Sequence, residues 1–453
     1  MAVTNNQPTV ADRMNRLPAS NVFLKMISRI ATGGLFEFYE LFLAGAIGVT
    51  LVNQGLISTA GLAYFIGSGF FGMFLGTTIF GHISDRIGRK NGYVYSLLIY
   101  SLFTILMAFA PDQLWIDLLR FGAGLGVGAQ LVIIDTYISE LTPSKHRGFY
   151  VAFAHFITFL AVPIVTLLSY FLVPTHFLID GWRWVAIIGG VGSVFIWWIR
   201  LGIPESPRWL EKRGRTEEAE REIAKIEQQI AKEKGSLPPV IIDNVKETEK
   251  GKFSEIFKPP YRSRTITLII FNVFQTVGFY GFASWVPTLL VSEGVTLVHS
   301  LLYTFIIALA NPFGPLLGMA TSDRFERKWL IVLLSLGIAV AGTIFSFMRI
   351  PFWIIVIGLI ITLLNNWFSA IYHSYQAELF PTRLRATGVG FSYSWGRLSS
   401  AFSGLIIAQL LIHFGVIGVF AFISVSMLIV AFVIGVFGPR TNKRDLEVIS
   451  PIQ

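Results

Sequence analysis

Twelve separate stretches of this chain are apolar over some twenty residues each, and that pattern limits the fold more than any single motif does. A helix needs about 20 mostly apolar residues to cross a hydrocarbon core about 30 Å thick. The runs fall at 25–50, 60–83, 93–110, 113–137, 149–173 and 183–203, and then, past a polar stretch, at 265–290, 300–320, 329–348, 352–375, 386–411 and 414–437. In lipid a backbone must satisfy its own hydrogen bonds, so runs of this length are helices. The expected fold is therefore all-α: a polytopic membrane protein with twelve transmembrane helices in two pseudo-symmetric six-helix bundles. The division is 1–203 for the first bundle, 204–264 for a linker with short surface helices, and 265–453 for the second. Only 14% of the residues are charged, against about a quarter in soluble proteins, so most of the surface faces something other than water.

The net charge of +9 does not mark a nucleic-acid binder, because the basic residues sit in short clusters at alternate connections. Arg86, Arg89 and Lys90, Lys145 and Arg147, Arg324, Arg327 and Lys328, Arg383 and Arg385, and Arg440, Lys443 and Arg444 all fall on one side. The other side holds only Arg183 and Arg349, beside Asp112, Asp117, Asp180 and Glu293. The positive-inside rule then places both termini and the linker in the cytoplasm of a multi-pass cell-membrane protein whose partner is the bilayer. The run after Lys25 is too long for a signal peptide and lacks a cleavage site, so it stays in the membrane. The linker stretch 215–234 alternates acid and base at helical spacing and reads as one or two surface helices. With no cysteine, no metal-ligand cluster, no phosphate loop and no spaced catalytic pair, neither enzymatic chemistry nor a cofactor or metal is expected.

Two motifs recur in order in both halves. GHISDRIGRK (81–90) is echoed by TSDRFERKWL (321–330), and SELTPSKHRG (139–148) by AELFPTRLRATG (377–388). Such repetition marks duplicated six-helix units. GHISDRIGRK resembles the loop 2–3 signature of the major facilitator superfamily, RFGAGLGVGA from Arg120 resembles its span-four arginine–glycine motif, and PESPRWL (204–210) resembles the end of span six in sugar porters and organic anion/cation transporters. The resemblance implies a secondary transporter that works by alternating access, as a functional monomer, with a midplane site. The alternatives within that scaffold are a proton-coupled symporter of a small organic anion or related metabolite, a proton-coupled sugar transporter, and a drug exporter. A different class would be a receptor or assembly protein that moves no solute. The first-half loop ending Gly-Arg-Lys has no match in the second half, and span five lacks the glutamine pair of sugar porters, which counts against sugar.

The loop charges have a physical reading of their own. Asp85 can accept from Arg89 or face a helix N-terminus across the half-interface, while Gly81 and Gly88 permit tight turns. Together with Arg86, Asp135, Glu140, Arg147, Glu205, Arg208, Asp323, Arg324, Glu378 and Arg385, these residues form a candidate cytoplasmic gate whose pairs exchange between access states. The plainer reading is that their charges only set topology.

Charges inside the membrane cost at least about 2.5–3.5 kcal/mol each, so each requires a partner or a task. Glu40 lies eleven positions past Arg29, roughly 16 Å deep and near the midplane; Glu37 shares its helix face. Glu40 falls where related proton-coupled porters carry an acid that pairs with the span-four arginine, here Arg120. The candidate proton-coupling group is thus Glu37, Glu40 and Arg120; the alternative is a static ion pair. Arg397 lies about 18 Å into span eleven with no obvious acidic partner, and its segment resembles the anion-binding span of organic anion transporters. It holds a substrate carboxylate in its guanidinium fork, or pairs with Glu37 or Glu40 across the cavity in the empty protein, and the two readings are compatible. Gln275, Tyr280, Trp285, Asn311, Asn365, Asn366 and Trp367 complete a candidate substrate wall that suits a small carboxylate better than a polyol. His155 and His373 are read as hydrogen-bonded structural residues, or else as proton relays.

Overall fold

A computed structural model describes residues 8–200, 203–241, 252–322 and 324–441; within its helices, the side chains of 80–82, 85, 131, 132, 135, 193–200, 382, 383 and 386 are not described. The helices are α1 (Val10–Asn15), α2 (Asn21–Asn53), α3 (Thr59–Ile87), α4 (Arg89–Met107), α5 (Gln113–Leu141), α6 (Arg147–Phe159), α7 (Ala161–Leu172), α8 (Gly181–Arg200), α9 (Pro207–Lys212) and α10 (Thr216–Lys234). They continue with α11 (Tyr261–Ala283), α12 (Val286–Ser292), α13 (Leu297–Ala308), α14 (Phe313–Thr321), α15 (Arg327–Ser346), α16 (Pro351–Glu378) and α17 (Thr382–Phe437). Read in order, α2, α3, α4, α5, α6 with α7, and α8 are six spans; α11 with α12, α13 with α14, α15, α16 and the two arms of α17 are six more. The arms of α17 turn on Gly415, whose φ of 64° is a left-handed value that favours glycine. A two-residue strand pair, His176–Phe177 with Ile179–Asp180, is the one departure from an all-α chain among the described residues.

Three spans are broken, and one rule explains all three breaks. A proline inside a helix has no N–H to donate, and its ring clashes with the carbonyl four residues earlier. Pro163, Pro287 and Pro312 lie four residues past Phe159, Ala283 and Ala308, the last residues of α6, α11 and α13. The short pieces α7, α12 and α13 all lie on the side away from the basic clusters. There α13 packs on α7 and α12, and α12 packs on α2, so elements of both halves meet. The approach is tight: a Cβ on Gly45 of α2 would come within 2.9 Å of the Ser284 backbone beside α12.

Within the first half, glycines set how closely helices approach. Gly72 and Gly76 of α3 are four residues apart, and a Cβ on either would lie 2.2 Å from a backbone oxygen of α5. That is close small-residue packing, which replaces hydrophobic driving force between helices in lipid.

The basic end repeats itself in the two halves. Arg89, at the start of α4, pairs with Glu140 near the end of α5 at 3.1 Å. Arg327, at the start of α15, pairs with Glu378 at the end of α16 at 2.9 Å. Both pairs span 51 residues. Tyr137 donates to the Pro204 carbonyl and Tyr375 to the Pro439 carbonyl, again at matching places. The duplication seen in the loops is thus carried into side-chain geometry.

The linker helices are not a loose insert. Arg13 of α1 bonds Glu227 at 2.5 Å and also Glu220, and Arg16 bonds Glu227 at 2.8 Å, so α10 is clamped by the N-terminal segment. Val10 N–H donates to Glu211 and Asn21 N–H to Glu233. Every one of these contacts joins the linker to the first half.

Candidate functional site

Two polar centres occupy the middle of the membrane region. In the first, Arg120 of α5 forms an ion pair with Glu40 of α2, both being at least 97% buried by side chain. The second guanidinium nitrogen donates to the Glu40 carbonyl at 2.8 Å, and the cation lies over the Phe65 ring at 5.6 Å. Arg120 engages one carboxylate oxygen; among the described residues Glu40 Oε2 is buried with no hydrogen bond of good geometry, its neighbour being the Thr104 hydroxyl, which donates to the Tyr100 carbonyl at 2.8 Å. Glu37, also buried, lies within electrostatic reach of Tyr93 and Tyr100 in α4 and of Tyr280 in α11, so it stands between the halves.

The second centre is Arg397 of α17, 4% exposed. Its two terminal nitrogens donate to the hydroxyls of Tyr280 at 3.0 Å and Tyr393 at 3.1 Å. No carboxylate among the described residues pairs with it, so the alternative of a bridge to Glu37 or Glu40 is not what the structure holds. Tyr280 packs edge-on against Phe70 of α3 at 4.7 Å, which brings the guanidinium to the interface with the first half. Tyr393 escaped the sequence reading although it precedes Arg397 by four residues on the same helix face, a signal that was available. Tyr280 was named, but only the fold could bring it to Arg397.

Of the other substrate-wall candidates, Asn311, Asn365 and Asn366 come together. Asn366 donates to Asn311 Oδ1 at 2.9 Å, and all three line a cavity of about 40 Å³ beneath the outer helix pieces, opposite Phe42 and Thr166. That volume accommodates a few waters; solute sites are typically about 300–1,000 Å³. Gln275 is buried with an unpaired Nε2 and is not on this wall. Trp285 is 1% exposed in the core beside α12. Trp367 donates to Thr321 at 2.8 Å, tying α16 to α14. Neither tryptophan lines the cavity, and neither does Glu40.

At the basic end, Arg89 and Glu140 join α4 to α5 inside one half. Glu205 caps α4: it accepts from the N–H groups of Arg89 at 3.1 Å and Lys90 at 3.2 Å. Gly88, with φ of 100°, leaves room for that carboxylate; a Cβ there would lie 2.4 Å from Glu205 Oε2. Burial pushes the Glu205 carboxyl above its ordinary range, against the backbone donors that lower it. Arg208 reaches Asn15 at 2.9 Å, and burial brings its guanidinium down to about 10, with the nearby Arg147 acting in the same direction. Arg86 and Arg324 are exposed. Arg147 and Arg385, each seven residues past its half's glutamate, have a buried Nε with no acceptor among the described residues. The side chains of Asp85 and Asp135, the surroundings of Gly81 and all of Asp323 lie outside what is described.

The sequence profile described as "Sugar (and other) transporter" matches residues 20–452. The chain is 35% identical to the putative metabolite transport protein YyaJ of Bacillus subtilis, covering 96% of both. It is 29% identical to the niacin transporter NiaP of Acinetobacter baylyi, over 97% of this chain and 99% of that one. Among solved structures, the proton:xylose symporter XylE superposes with a TM-score of 0.72 at 20% identity, over 95% of this chain and 98% of that one.

Proposed function

Because this chain belongs to the sugar (and other) transporter family of the major facilitator superfamily, and is a membrane transporter rather than an enzyme, we propose that it is a proton-coupled symporter of a small organic anion. Arg397 carries the reading. A guanidinium that is nearly sealed from water, held by two neutral hydroxyls and facing the interface of the halves, is a strong attractor for a carboxylate. A neutral sugar needs no such cation. The niacin transporter among the relatives is named for a small carboxylic acid, and that name supports the same choice.

Coupling then runs through Tyr280, whose hydroxyl lies between the Arg397 guanidinium and the field of Glu37. An anion on Arg397 draws the tyrosine and raises the proton affinity of Glu37 and Glu40 across the interface; proton uptake loosens the Glu40–Arg120 pair and lets the halves reorient. The basic end is the cytoplasmic side, with Arg147 and Arg385 forming new cross-half pairs when that side closes. The protein acts as a monomer on substrate and protons.

The test is uptake into proteoliposomes under an imposed pH gradient, with organic acids compared with sugars. Gradient-driven accumulation of acids is expected, and Arg397→Ala is expected to weaken acids selectively, by tenfold or more on the scale of a lost charge-assisted hydrogen-bond pair. Accumulation of sugars with unchanged acid affinity in that variant would establish the proton-coupled sugar reading; efflux of amphipathic cations would establish the exporter.

A further inference from the structure

Three rings crowd the basic-end side of Arg397. Tyr393 both accepts a hydrogen bond from the guanidinium through its hydroxyl oxygen and presents its face, 5.0 Å from ring centroid to Cζ. His373 of α16 stacks on Tyr372 with centroids 4.4 Å apart and planes at 29°. Its edge neighbour is Tyr393, at 5.4 Å and 58°. Tyr372 is buried, whereas His373 is exposed. His373 lies within electrostatic reach of Arg397 and of His155 in α6, so a helix of the first half stands near it. A polar ring inside a span usually earns its place by hydrogen bonding; among the described residues His373 makes no hydrogen bond, contrary to the structural role expected from sequence. What it offers is a flat surface, backed by a second ring, a single tyrosine away from the cation.

We propose that His373, supported by Tyr372, is a specificity-determining residue: it receives the planar ring of an aromatic carboxylate whose carboxyl group is held by Arg397. The proposal rests on the reading of Arg397 as the anion anchor and adds the shape of the remainder of the substrate. A saturated acid of the same size and charge fills the same space without the offset stacking of two π-faces. That difference corresponds to about 2- to 10-fold in affinity.

Benzoate and cyclohexanecarboxylate separate the two contributions, since they match in charge and nearly in size but differ in planarity. Calorimetric titration of the full-length purified protein is expected to give a several-fold preference for benzoate. His373→Ala is expected to abolish that preference while leaving cyclohexanecarboxylate binding in place, which also verifies folding, and His373→Phe is expected to restore it. Arg397→Gln is expected to weaken both acids by the same factor. A preference that survives in His373→Ala, or no preference in the wild-type protein, overturns the proposal while leaving the anchor standing. Unchanged binding of both acids in Arg397→Gln overturns the anchor itself, and the proposal with it.

Discussion

At the residue scale, the Glu40–Arg120 pair shows how burial assigns roles. Two opposite charges sealed from water stabilise each other, and removing one partner of a buried pair typically costs about 3–5 kcal/mol because the other charge is left uncompensated. Arg120→Met is therefore expected to lower thermal stability in detergent sharply. Glu40→Gln keeps a hydrogen-bonding acceptor beside the guanidinium but has no proton to exchange. It is expected to lose accumulation driven by a pH gradient while retaining counterflow down a solute gradient; full accumulation by this variant would remove Glu40 from coupling. Both members of the pair were legible in the sequence, because a charge in an apolar run is conspicuous and depth follows from counting residues. The partners of Arg397 were only half legible: Tyr393 lies a turn away on the same helix, whereas Tyr280 is 117 residues distant.

At the scale of elements, span positions were readable since hydropathy and length constrain them, but the facing of each helix was not. A transmembrane helix is apolar all round, so periodicity does not point to its buried side. Trp285 and Trp367 illustrate the cost: an aromatic near the midplane serves a core, an interhelical hydrogen bond or a cavity wall equally well. The breaks, in contrast, follow from proline chemistry alone. Pro287→Ala is expected to let α11 continue through Ser284 toward α12, and so to slow solute exchange while equilibrium binding changes little. Exchange at the wild-type rate would show that the break plays no part in turnover.

At the scale of the whole molecule, the clamp of α1 on α10 fixes this part of the linker to the first half, whereas Phe253–Phe257 packs on α11 and α17 of the second. Burial pushes Glu227 upward, but hydrogen bonds from Arg13 and Arg16 outweigh it and hold the carboxyl below its ordinary value. A carboxylate lowered in this way lends stability above its unfolded pKa, about 4.3, and loses it as the pH falls through the folded value. The clamp is thus expected to hold at neutral pH and to release in acid, seen as protease access to the N-terminal segment; Glu227→Gln should expose that segment at neutral pH as well. The matching pairs Arg89–Glu140 and Arg327–Glu378 could be suspected from the repeated loops, but their 51-residue register emerged only with the fold.

The end away from the basic clusters is built from short helices of both halves, α7 from one and α12 and α13 from the other. Among the described residues these pieces pack on one another across the halves, α13 on α7 and α12 on α2. On the proposed mechanism, sealing this end and spreading the other are one rearrangement, and water and small ions are expected to meet no unbroken thread through the protein. Planar-bilayer recordings should accordingly be electrically silent without solute, with no single-channel steps at any voltage.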